Sequence, residues 1–137
     1  MTFTPYLNFG GNCREAFARY HEIFGGELNV VGMGDLPDAD QAGMPEGMAD
    51  MVMNASITTD TGGVIMGSDV PPGTFGQQQF MYANFQTPDV EEAKRVWKEL
   101  SDGGEIEIDG AETFWSPFFG VCRDRFGTQW MVNAEPA

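Results

Sequence analysis

The side chains able to do acid–base, nucleophilic or metal chemistry are few in kind and scattered along the chain. There is one histidine, His21, and two cysteines, Cys13 and Cys122, against 21 Asp plus Glu. Two cysteines cannot build a disulfide framework or a zinc cluster. Cys13 stands where a helix would begin, and with no histidine beside it in sequence it reads as an ordinary buried thiol, as does Cys122 in its apolar run. His21 reads as a helix-surface residue. Among the acids, two stand out by their neighbours: Glu112 precedes Thr113-Phe114-Trp115, and Asp69 ends Ile65-Met66-Gly67-Ser68. A carboxylate set beside aromatic rings is a setting for a general base, so Glu112 and Asp69 are the candidate catalytic residues. Arg123 is expected in a structural ion pair with Asp124, with an acidic ligand as the alternative partner. Met33, Met44, Met48, Met51 and Met53 are an adaptable apolar set around one loop.

Composition limits what these residues can serve. The chain has 137 residues, one-domain length, with 42% apolar residues and a formal net charge of −14. That charge opposes nucleic acid, whose binding requires a basic footprint, and opposes an anionic membrane surface. No apolar run is long enough to cross a bilayer, and the start MTFTPYLNFGG lacks a basic, apolar leader. The expected location is a reducing cytoplasm.

The elements that must position the candidates come in two copies. Tyr6-Leu7-Asn8-Phe9 returns as Tyr82-Ala83-Asn84-Phe85, Glu15-Ala16 as Glu92-Ala93, and Gly25-Gly26-Glu27 as Gly103-Gly104-Glu105. The drift in offset along the chain fits short loop insertions. Each half reads as β-α-β-β-β. Residues 13–24 place Ala16, Phe17, Tyr20, Ile23 and Phe24 on one helical face, with Asn12 as N-cap and a Gly25-Gly26 stop. Asp89 and Glu92 have capping-box spacing before the stripe Val90, Ala93, Val96, Trp97 and Leu100. Strands are expected over 3–9, 27–33, 51–59, 64–67, 79–86, 105–109, 118–123 and 128–133, with turns at Asp60-Thr61-Gly62-Gly63 and Asp124-Arg125-Phe126-Gly127. The expected organisation is one domain over 1–137, with modules over 1–69 and 79–137 and a linker over 70–78. Residues 34–50 are an irregular loop.

Several segments resemble the PhnB-like branch of the vicinal oxygen chelate superfamily, which includes glyoxalases, bleomycin-resistance proteins and extradiol dioxygenases. They are Pro5-Tyr6-Leu7 with Phe9, Glu15-Ala16 through Phe24-Gly25-Gly26, and Ile65-Met66-Gly67-Ser68-Asp69. The C-terminal run from Glu112-Thr113-Phe114-Trp115 to Trp130-Met131-Val132-Asn133 is the most specific. The resemblance implies an α+β fold, in which two βαβββ modules form a cupped, eight-stranded mixed sheet with two outer helices. It also implies a homodimer. The branch has carried a ubiquinone-pathway methyltransferase label, but no glycine-rich nucleotide loop follows a strand and opens a helix here.

The superfamily's enzymes hold a divalent metal with His or Glu ligands in the cup. By resemblance those positions fall near Thr4, Phe80, Trp130 and Gly67 or Ser68, with Asp69 the only nearby acid. Threonine, phenylalanine and tryptophan do not ligate divalent metals, so no metal and no other cofactor is expected. The function expected is a metal-free cup for a small organic molecule, lined by Phe80, Trp115, Trp130, Glu112 and Asp69. Two alternatives stand beside it. One is a lyase- or dioxygenase-type enzyme using a divalent metal or a Glu112 or Asp69 base. The other is a dimeric structural domain whose cup is filled by its own side chains.

Overall fold

Two twelve-residue helices organise the chain, and each buries one stripe on a four-stranded sheet. The computed structural model describes residues 1–37, 47–71, 73–76 and 79–136. The elements run β1 (Tyr6–Phe9), α1 (Cys13–Phe24), β2 (Glu27–Gly32), β3 (Val52–Thr58), β4 (Val64–Asp69), β5 (Ala83–Thr87), α2 (Val90–Ser101), β6 (Glu105–Ala111), β7 (Phe118–Arg123) and β8 (Gln129–Ala134). The chain divides into two compact units, Met1–Gly76 and Gln77–Ala137. The sheet orders are β1-β4-β3-β2 and β5-β8-β7-β6. In each sheet the first pair is parallel and the others antiparallel. The eight strands thus form two mixed sheets of identical order, as duplication of one unit requires.

The centres of the helix stripes fall where the 3.6-residue period puts them, while Phe24 at the end of α1 and Val90 at the start of α2 are only half-buried. Ala16, Phe17, Tyr20 and Ile23 of α1 are buried with Leu7, Phe9, Ala55 and Ile57. Ala93, Val96, Trp97 and Leu100 of α2 are buried with Phe118, Cys122, Trp130 and Val132. Burying one large apolar side chain contributes roughly 1.5–3 kcal/mol. The helices lie close to their sheets because a glycine stands beneath one buried ring of each. A Cβ on Gly67 would stand 2.8 Å from the Phe17 ring, and one on Gly120 would stand 2.7 Å from the Trp97 ring.

The two helix starts differ. Asp89 caps α2 by accepting from the Glu91 and Glu92 amides at 2.9 and 3.2 Å. Glu92 does not complete a capping box; it accepts from Thr87 Oγ1, which in turn accepts from the Asp89 amide. Asn12 occupies the N-cap position of α1, but its side chain makes no capping bond. A distant carboxylate takes that role. Asp69 Oδ1 accepts from the Gly11 and Cys13 amides at 2.9 and 3.0 Å, and Oδ2 accepts from the Val52 amide at 2.9 Å. At the other end, Gly25 takes the left-handed stop with φ of 69°.

Strand limits depart from the sequence expectation where the backbone cannot extend. The first strand begins at Tyr6 rather than at residue 3, directly after Pro5, which has no N–H to give a ladder. The fifth begins at Ala83 rather than at residue 79. Phe80, at φ of 63°, lies in the left-handed region that a strand cannot use. Within the 34–50 loop, 3-10 turns form at Met33–Asp35 and Met48–Asp50. Residues 38–46, Met44 among them, lie outside the described residues, as do residues 72, 77 and 78 of the expected linker.

Candidate functional site

Side-chain parity in the second sheet decides what is available for binding. Trp97 of α2 packs edge-on against Phe118, with ring centroids 6.4 Å apart, and lies over Gly120. Alternation along β7 therefore turns Phe118, Gly120 and Cys122 to the helix, and Phe119, Val121 and Arg123 away from it. The ladder register carries this across the sheet. Gly120 is opposite Val132 and Cys122 opposite Trp130, so β8 gives Trp130, Val132 and Ala134 to the helix side. Gln129, Met131 and Asn133 face away, opposite Arg123, Val121 and Phe119. On β5, Asn84 pairs with Met131 and Gln86 with Asn133. The helix-free face therefore has an apolar floor of Met131 and Val121, framed by amides and rings.

One end of this face is a polar corner. Gln129 is only 4% exposed, and its Nε2 donates to Glu107 Oε1 at 3.0 Å. Tyr82 donates its hydroxyl to Glu107 Oε2 at 2.9 Å. That bond holds the Tyr82 pKa above its ordinary value, chiefly because the Glu107 carboxylate accepts the phenolic proton. Arg123 Nη1 donates to the Gly127 carbonyl at 2.8 Å. Gln129 Oε1 and Asn133 Oδ1 are buried acceptor atoms to which no donor is given among the described residues. At the other end, Trp115 meets Phe119 edge-on at 5.6 Å and Phe114 at 4.8 Å. Trp115 is 49% exposed and Phe114 fully so.

The sequence candidates are dispersed over these surfaces. Trp115 joins the helix-free face through Phe119. Trp130 does not: it is buried on the helix side, where its Nε1 donates to Asp124 Oδ2 at 2.9 Å. Asp124 Oδ1 also accepts from the Phe126 and Thr128 amides, so the turn carboxylate holds both its own loop and the indole. Phe80 is 88% exposed just before β5. Glu112 is exposed between β6 and β7. Asp69, in the first unit, is buried with both oxygens committed to three backbone amides, which leaves neither aimed at a ligand. Thr4 precedes β1 and is exposed. Cys13 and Cys122 are buried free thiols whose pKa is pushed up to about 12, mainly by desolvation. His21 stays on the outer side of α1, its Nε2 3.1 Å from the Gly26 carbonyl oxygen.

Sequence reasoning missed Tyr82, Glu107, Gln129 and Met131. The signal was present in the alternation Gln129-Trp130-Met131-Val132-Asn133-Ala134. A slip of one residue moves every side chain to the other face. Among the described residues, no three His, Cys, Asp or Glu side chains gather in a way that could hold a metal. A depression of about 640 Å³ also opens in the first unit, between the start of α1 and Ala49-Asp50. Two of the amides at the start of α1, those of Gly11 and Cys13, are already taken by Asp69.

Paired β-α-β-β-β units with this strand order define the glyoxalase/bleomycin-resistance, or vicinal oxygen chelate, fold. A glyoxylase/bleomycin resistance protein/dioxygenase domain from Frankia sp. EAN1pec shares it, with a TM-score of 0.64 over 99% of this chain and 98% of that one; at 14% identity this shows the fold alone. Residues 1–133 match the family described as 3-demethylubiquinone-9 3-methyltransferase. Protein YjdN of Escherichia coli K12 is 33% identical over 140 residues, covering 97% of this chain and 95% of YjdN. The crystal structure of PA1353 from Pseudomonas aeruginosa has a TM-score of 0.81 and 34% identity, over 98% of both chains. The chain belongs to this family.

Proposed function

We propose that this protein binds a small organic molecule on the helix-free face of its second sheet, and that it does so without a metal ion. One observation carries the reading: the β8 register brings Met131 and Val121 together as a floor, with Asn84, Gln86 and Asn133 beside it and the Trp115–Phe119 rings at one end. An apolar floor with a few convergent polar groups suits an organic ligand. Neutral amides and a thioether are poor substitutes for the imidazole and carboxylate groups that hold a divalent metal. The enzyme alternative lacks a comparable observation, since Asp69 is committed to the backbone and Glu112 sits on an exposed loop.

The test is a thermal-shift screen of small aromatic compounds against the metal-chelated full-length chain. A ligand that binds only the native state raises the melting temperature. Shifts that persist in chelator, and vanish in Met131→Arg, support the reading. Shifts that appear only after a divalent metal is restored count against it.

A homodimer is part of the same proposal. Ile106 and Ile108, each 54% exposed, stand on β6 at the edge of the second sheet, opposite Cys122 and Val121, so exposed apolar side chains border both faces of that edge, a setting that favours a protein contact. Among the described residues no helix is long and apolar enough to cross a membrane. Two buried free thiols suit a reducing cytoplasm, the compartment we propose.

A further inference from the structure

We propose that the Gln129 corner of the second sheet takes a hydrogen-bond donor head group, an amide or an amidine, and disfavours carboxylates. The proposal rests on the small-molecule reading above and names the chemistry of the ligand. Gln129 is 4% exposed, and its amide orientation is fixed because Nε2 donates to Glu107 Oε1. Turning the amide over would set its oxygen against a carboxylate oxygen. That leaves Oε1 buried without a donor. The nearby Tyr82 hydroxyl does not supply one, because it is given to Glu107 Oε2. A buried acceptor without a donor destabilises the protein, and a bound N–H removes that penalty. A carboxylate brings only acceptors and a negative charge, here beside Glu107 and on a chain of formal net charge −14.

The rest of the face fits the same class. Asn133 Oδ1, four residues along the strand on the same side, is a second buried acceptor without a donor. The two positions are ~13 Å apart at ~3.3 Å per residue. Met131 lies between them, so a donor head at Gln129 sets an apolar body over Met131 and Val121. A longer molecule reaches the Phe119–Trp115 rings.

The experiment titrates the isotope-labelled full-length chain with benzamide, benzamidine and benzoate, which share a ring and differ in head group. The nuclear magnetic resonance signal of the Gln129 side-chain amide is followed. Benzamide and benzamidine are expected to shift it with an affinity about tenfold or more above that of benzoate. Gln129→Met keeps an unbranched chain of similar length and is expected to bring benzamide down to the benzoate level. If that variant does not fold, the wild-type Gln129 signal decides alone. Benzoate shifting Gln129 as strongly as benzamide overturns the donor inference and leaves the binding face standing. Shifts confined to Met131 and Asn133 do the same. If none of the three compounds shifts Gln129, Met131 or Asn133, the inference and the reading beneath it both fall.

Discussion

Asp69 and Asp124 do comparable work in their two units. Each is a buried carboxylate that accepts three N–H donors and ties a strand end or turn to something distant in sequence or large in volume. Removing Asp69 leaves three backbone amides without their acceptor. We expect Asp69→Ala to cost about 3 kcal/mol in urea denaturation, whereas a residue acting only as a base would leave stability unchanged. The thiols give a second prediction. Cys13 and Cys122 rise from an ordinary value of 9.0 to about 12 in the folded chain. A pKa raised by folding means the unfolded state loses its proton first. Their contribution to stability is therefore whole below pH 9 and is lost as pH rises through 12. Both thiols should resist a disulfide reagent at pH 8 until denaturant is added; rapid labelling of the native chain would contradict this burial.

At the scale of elements, the two helix starts and the two glycine contacts allow paired tests. Asp89→Ala should lower stability by about 1 kcal/mol, since its side chain caps α2. Asn12→Ala should change it little, because that side chain caps nothing and Asp69 holds α1. Equal losses in chemical denaturation would mean that Asn12 caps after all. Gly67→Ala and Gly120→Ala should each cost about 1–3 kcal/mol, because the new methyl presses on the Leu7 carbonyl and the Phe17 ring at the first site and on the Trp97 ring at the second. Similar losses at these two sites would express the shared geometry of the units. Both helices were legible because apolar residues at 3.6-residue spacing report local geometry directly. The cap of α1 was not, since its acceptor stands 58 residues from the Gly11 amide.

For the whole molecule, oligomeric state is the measurement that matters most. The homodimer reading expects a sedimentation mass near twice the 15.0 kDa chain at micromolar concentration, reduced toward one chain by Ile106→Lys with Ile108→Lys. A monomeric wild type would set that reading aside. A formal net charge of −14 works against self-association, so the dimer should tighten as salt screens the repulsion.

Repetition, helical period and turn chemistry are local, and from them the chain's own letters set the number of units, the order of elements and the helix faces. Nothing local says which of two strand faces a side chain takes. That parity follows from where Trp97 settles against Gly120 and from the cross-strand register, both long-range facts. Hence Trp130, an obvious ring in the sequence, is an internal side chain bound to Asp124. Gln129, an unremarked amide, emerges as a buried acceptor only when β6, β7 and β8 come together around it.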